Sequence, residues 1–150
     1  MLTFILNVWL VIAAFAKATS LDSCLAGTGA TLVYSNSSFY TNLSTPDVID
    51  FHYHPSVLVI PSSTQQVASA VKCVSADKGK TTLTVVSGGH NLVGYSFSGD
   101  VVILSNKMTG IAIDSAKKQV SVQFGQKLGS VAKAIGQKGY GLPHGIAPIC

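Results

Sequence analysis

The sequence predicts an α+β fold: a small parallel βαβ sheet joined by antiparallel strands and flanked by helices. Three observations carry this expectation. Val57–Ile60 and Val101–Leu104 are unbroken apolar runs of four, the pattern of strands buried on both faces of a parallel sheet. Between the first of them and a third run, Leu83–Val86, lies a capped amphipathic stretch. Farther on, Ile111–Asp114 and Gln119–Phe124 flank Ser115-Ala116-Lys117-Lys118, and Val120, Val122 and Phe124 alternate with polar residues as in a hairpin.

In chain order, Leu2 to Ala16 is an apolar stretch broken by Thr3 and Asn7, and Ala16-Lys17-Ala18 places small residues where a signal peptidase reads. Residues 1–18 are therefore expected to be a signal peptide cleaved after Ala18. No basic segment precedes the stretch, which leaves a membrane-anchored start as the alternative. Residues 19–52 are mostly polar, with one short apolar run, Ala30 to Tyr34. They carry two sequons, Asn36-Ser37-Ser38 and Asn42-Leu43-Ser44, so Asn36 and Asn42 are the expected glycosylation sites of a secreted, extracellular chain. This segment reads as an N-terminal extension tied down by Cys24.

Residues 53–150 form the expected domain. Pro61 stops the first strand, and Ser63 with Gln66 makes a capping box. Val67, Ala70, Val71 and Val74 then recur at helical spacing up to Gly79. Gly125 ends the hairpin, and Leu128, Val131, Ala132 and Ile135 define a second helix closed by Gly139. The remainder, to Cys150, has loop composition, so the domain is expected to be incomplete at its C-terminus. No internal repeat is present.

Of the three cysteines, Cys24 and Cys73 are the expected pair in an oxidising compartment, leaving Cys150 odd. A buried core thiol at Cys73 is the other reading. All ten basic residues are lysine and all six acids aspartate, giving a net charge of +4 and a pI near 9.0. The lysines are scattered, with Lys117-Lys118 the one adjacent pair and no aromatic interleaving, so they read as solvated surface and not as a nucleic-acid or polyanion site. Without arginine, a bound pyrophosphate must rest on backbone amides, helix ends and at most a lysine.

The chemistry centres on Ser87-Gly88-Gly89-His90-Asn91, directly after Leu83–Val86. Adjacent glycines after a strand permit positive φ, so successive N–H groups can converge on an anion. If the strands are parallel, this turn lies at the C-terminal edge where such sheets bind ligands. An ordinary strand-to-loop turn is the competing reading. His52 and His54 alternate around Tyr53 with no third ligand at suitable spacing, so no metal is expected. Tyr95 and Phe97 read as packing residues.

Taken with Gly125-Gln126-Lys127-Leu128-Gly129 and Pro143-His144-Gly145, the glycine turn resembles the FAD-binding half of the berberine bridge enzyme and sugar-oligosaccharide oxidase group. These are flavoproteins related to vanillyl-alcohol oxidase, with a PCMH-type FAD-binding domain. The resemblance runs from about Cys24 to Cys150. It implies that backbone amides of Ser87, Gly88, Gly89 and Asn91 hold the FAD pyrophosphate. It also implies that His90 carries the covalent flavin link and that Gly125, His144 and Gly145 line the cofactor from the other side. Many relatives carry a second, cysteinyl link in a His-Gly-x-Cys-Pro segment; here that position is Ala147, so a single link is expected and Cys150 is not expected to be a ligand.

The activity so implied is FAD-dependent oxidation of an alcohol, hemiacetal or amine carbon by hydride transfer to flavin. A small-molecule substrate and molecular oxygen are the partners, with no nucleic acid and no membrane after leader cleavage. The catalytic base lies in later parts of such proteins, and this chain alone is expected to be inactive. The alternative is a truncated secreted glycoprotein that keeps part of the fold as a non-catalytic binding or structural module.

Overall fold

The computed structural model describes residues 20–46, 52–91 and 93–145. The leader with its cleavage point, Ala147 and Cys150 lie outside the described residues. Among those described, no helix is long and apolar enough to cross a membrane.

Four strands form one sheet: β1 (Thr31–Tyr34), β2 (Val57–Ile60), β3 (Leu83–Val86) and β4 (Val101–Leu104), in the order β1-β2-β4-β3. β2 and β3 each pair with β4 in parallel, while β1 runs antiparallel to β2, with Tyr34 opposite Val57. The crossover from β2 to β3 thus skips one position, which β4 then fills. Helix α3 (Thr64–Ala76) makes that crossover.

Both faces of the sheet are covered at β2 and β4, whose residues are all buried, as their apolar runs require. Val57, Val59, Val101 and Ile103 pack with Ala70, Cys73 and Val74 of α3 and with Leu25 of α1 (Leu21–Ala26). Leu58, Ile60, Val102 and Leu104 face the other way, onto Val33, Phe97 and Tyr40 of α2 (Tyr40–Ser44). Alternate residues of one strand therefore feed two separate cores.

The helix signals act as read, with one shift. Ser63 Oγ accepts the Gln66 N–H at 3.2 Å, and Gln66 Oε1 reaches back to accept the Ser62 N–H at 2.7 Å. Gln66 Nε2 also donates to the Gly29 carbonyl at 2.8 Å, tying α3 to the turn before β1. Val71 is 39% exposed; Cys73, not Val71, completes the inward face, because 100° per residue carries Val71 over its shoulder.

The segment set apart as an extension is integral to the sheet. It supplies α1, β1 and α2, and Leu25, Val33 and Tyr40 are buried. Cys24 and Cys73 form a disulfide, with Cα atoms 5.6 Å apart, that joins α1 to α3.

A separate hairpin, β5 (Ile111–Asp114) with β6 (Gln119–Val122), precedes α4 (Leu128–Gly136). Its alternation is present, but the expected inward face is open: Val120, Val122 and Phe124 are all exposed.

Asp100 joins the N-terminal ends of β3 and β4, its carboxylate accepting from the Thr82 hydroxyl at 2.6 Å and the Thr82 N–H at 2.8 Å. These donors, the hydroxyl first, hold its carboxyl below the ordinary 3.8. A lowered folded pKa favours the charged form, so its contribution is present above the unfolded value of about 3.9 and is lost as pH falls through the folded pKa. The stability gap between wild type and Asp100→Asn in urea should therefore narrow below about pH 4. A gap constant with pH would refute this.

Candidate functional site

The glycine turn leaves β3 at the C-terminal edge of the parallel strands. The Ser105 N–H donates to the Val86 carbonyl at 3.1 Å, extending the β3–β4 pairing to the last residue before the turn. Gly89 has φ +82°, a conformation that glycine adopts without steric cost. Ser87, His90 and Asn91 are exposed, and Gly88 and Gly89 half-buried.

Asn91 folds the chain back after the turn. Its Oδ1 accepts the N–H groups of Val93 at 3.1 Å and Tyr95 at 3.3 Å, and its carbonyl accepts that of Gly94 at 3.0 Å. This starts the 3₁₀ turn Tyr95–Phe97. Phe97 packs in the core as read; Tyr95 does not, being 62% exposed. The turn starts at Gly94, so Phe97 alone swings under the sheet.

Three segments meet at this edge. Ser87 Oγ donates to the Phe124 carbonyl, and Ser105 Oγ approaches the same oxygen at 3.5 Å. The Gly125 N–H donates to the Met108 carbonyl at 3.0 Å. A Cβ on Gly125 would fall 1.8 Å from the Ser105 carbonyl oxygen, so the residue must be glycine for the backbones to approach. The strand end, the glycine turn and the lead-in to α4 are thereby fixed together. Sequence reading missed Ser105, which is 1% exposed. Its signal was a polar residue closing an otherwise apolar strand.

Three of the four described carboxylates lie at the end of the sheet opposite the turn. Asp77, ahead of β3, accepts from the Thr81 hydroxyl at 2.5 Å, and Asp100, directly before β4, accepts from Thr82; both lie opposite the turn. Asp22 sits beside Tyr34, at the same end, where burial first and then the Asp22 carboxylate raise the phenol pKa. The remaining described carboxylate, Asp114, lies on the hairpin with Lys117. At the turn itself, the N–H groups of Gly88 and Gly89 have no protein acceptor among the described residues. Backbone donors without acceptors, set away from these carboxylates, suit an anion.

The other candidates lie elsewhere. His144 and Gly145 are exposed in the loop after α4, with the His144 ring Nδ1 hydrogen-bonded to the Gly145 carbonyl. They make no hydrogen bond to Ser87, Gly88 or Gly89 among the described residues. His52 and His54 flank Tyr53, whose hydroxyl donates to the Val93 carbonyl at 2.9 Å and so braces the loop beyond the turn. Both asparagines of the sequons are exposed.

Residues 55–149 match the sequence profile described as FAD binding domain. The chain belongs to this family. Its cofactor is FAD, and the donor set at the turn fits a diphosphate: N–H groups with no acceptor among the described residues, no side chain at Gly88 and Gly89, and no described carboxylate beside them.

Among curated proteins, this FAD-binding chain is similar to FAD-linked oxidoreductase sorD of Penicillium rubens, 32% identical over 136 residues, covering 89% of the chain and 28% of that protein. It is also similar to glucooligosaccharide oxidase of Sarocladium strictum, 28% identical over 136 residues, covering 88% and 27%. The chain thus spans little more than a quarter of the length of these relatives. Among solved structures, wild-type BBE-like 1 of Physcomitrella patens superposes with a TM-score of 0.71 at 28% identity, covering 80% of this chain and 26% of that one. Glucooligosaccharide oxidase from Acremonium strictum, described as holding a 6-S-cysteinyl, 8α-N1-histidyl FAD, gives 0.72 at 27% identity, covering 87% and 28%.

Proposed function

We propose that this chain supplies the FAD-binding part of a secreted FAD-dependent oxidoreductase acting on an alcohol, hemiacetal or amine carbon of a small molecule. The observation that carries the reading is the glycine turn at the C-terminal edge of the parallel strands, within a chain that matches the FAD binding domain family over residues 55–149. Bound FAD would supply a two-electron acceptor for hydride from substrate, with molecular oxygen as the final acceptor.

The chain's own residues bind and orient. Gly88 and Gly89 would hold the diphosphate through their N–H groups, and Ser87 holds the turn against Phe124 so that those donors stay aligned. His90, beside them on exposed surface, would hold the flavin by its ring at the 8α position. Gly125 permits the approach that fixes this edge, while His144 and Gly145, in the loop after α4, would line the cofactor from the other side. With Ala147 where relatives carry the second linking cysteine, the link is single.

The disulfide between Cys24 and Cys73 supports an oxidising, extracytoplasmic destination. Residues 1–18 act as the signal that takes the chain there, and Asn36 and Asn42 are its glycan acceptors.

The test is chromophore retention. Wild-type chain produced with FAD should keep flavin absorbance on the polypeptide after denaturation, and His90→Ala should release it. Flavin retained equally by both would overturn the histidyl link. A chain that neither copurifies with flavin nor quenches the fluorescence of added FAD would overturn the binding role.

A further inference from the structure

Phe39 is the most exposed large apolar side chain among the described residues, at 69%. Its position is set by its neighbours. Phe39 precedes α2 with helical dihedrals, φ −89° and ψ −10°, and the Leu43 N–H donates to its carbonyl at 3.3 Å, so it belongs to the first turn. Tyr40 and Ser44 point inward and are buried, with the Tyr40 hydroxyl donating to the Pro55 carbonyl at 2.6 Å. Once that face is committed to the core, Phe39 and Asn42, three residues apart, share the outer face as neighbours. Asn42 is exposed and heads the sequon Asn42-Leu43-Ser44.

We propose that Asn42 carries an N-linked glycan whose first sugar lies with its apolar C–H face on the Phe39 ring. This rests on the secretory reading given above. In the linking step, Asn42 Nδ2 bonds to the anomeric carbon of a polyprenyl-diphosphate-linked oligosaccharide. The C–O bond to the diphosphate breaks, the diphosphate leaves, and Nδ2 loses one proton; nothing is oxidised. The transferase must read the Ser44 hydroxyl, and in the folded chain Ser44 is 7% exposed. Transfer therefore precedes the packing of α2 onto β2. The glycan then removes from water a phenyl ring that the described residues leave bare.

The experiment uses the full chain made in a eukaryotic secretory host, with glycosylated asparagines tagged by enzymatic deglycosylation in ¹⁸O water and read by mass spectrometry. Asn42 should be tagged. Melting curves of wild type, Phe39→Ala, Asn42→Gln and the double variant then test the stacking. Phe39→Ala should lower the Tm of the glycosylated chain by about 2–4 °C and leave that of Asn42→Gln unchanged. Asn36 tagged with Asn42 bare would overturn the proposal and leave the secretory reading standing. A chain bare at both sites and retained in the cells would overturn the secretory reading as well. Equal Tm losses in both backgrounds would overturn the stacking.

Discussion

Gly125→Ala should cost about 3 kcal/mol or more and abolish flavin binding, because the added methyl would collide with backbone that has no other place to go. The Cβ would stand 1.8 Å from the Ser105 carbonyl oxygen, 2.6 Å from its carbon and 2.9 Å from the Met108 carbonyl oxygen. None of these is the movable end of a side chain. Relief requires separating the Phe124–Gly125 segment from the end of β4, which also withdraws the carbonyl that Ser87 holds. Loss of stability and loss of the cofactor cradle are therefore one event.

Gly136→Ala supplies the control. A Cβ at Gly136 meets nothing within 4 Å, and it is the last residue of a helix, so alanine there should stabilise by about 0.5 kcal/mol. Urea unfolding together with FAD titration reads both variants. A Gly125→Ala chain with wild-type midpoint and flavin affinity would refute the clamp.

Replacing Cys24 and Cys73 together by alanine should cost about 4 kcal/mol in the chain-entropy account, since the bridge closes a loop spanning 49 residues. For a domain whose whole margin is about 5–15 kcal/mol, that is a large share. The loss falls on α1, whose Leu25 is fully buried against α3 and the sheet. Reductant separates the link from the packing of the cysteines themselves. It should bring the Tm of the wild type down towards that of the double variant and leave the variant unmoved. A wild-type Tm indifferent to reductant would refute the assignment of stability to the link.

Much of this architecture was legible because it is local. Continuous apolar runs announced β2 and β4, Ser63 and Gln66 announced the start of α3, and alternation announced the hairpin. What escaped was relational. The run Ala30 to Tyr34 gave no sign that it would pair with β2, since strand partnership lies between distant residues and not within either. Val71 and Tyr95 were apolar or aromatic where the fold had no core to offer them. At the site, the glycine turn was visible as glycines after a strand. Gly125 was read as a cofactor residue, and its close approach to Ser105 appears only in three dimensions.

The sequence by itself determined β2, β3, β4, the hairpin, α3, α4, the Ser63–Gln66 cap and the glycine turn that suits a phosphate, because each depends on residues within one or two turns of chain. Tertiary structure alone decided that β4 lies between β2 and β3, and that Asp22, Asp77 and Asp100 gather at the edge opposite the turn. It also decided that one carbonyl, that of Phe124, gathers Ser87 and Ser105. These are consequences of packing two faces of one sheet at once, and no segment read alone carries the positions of the others.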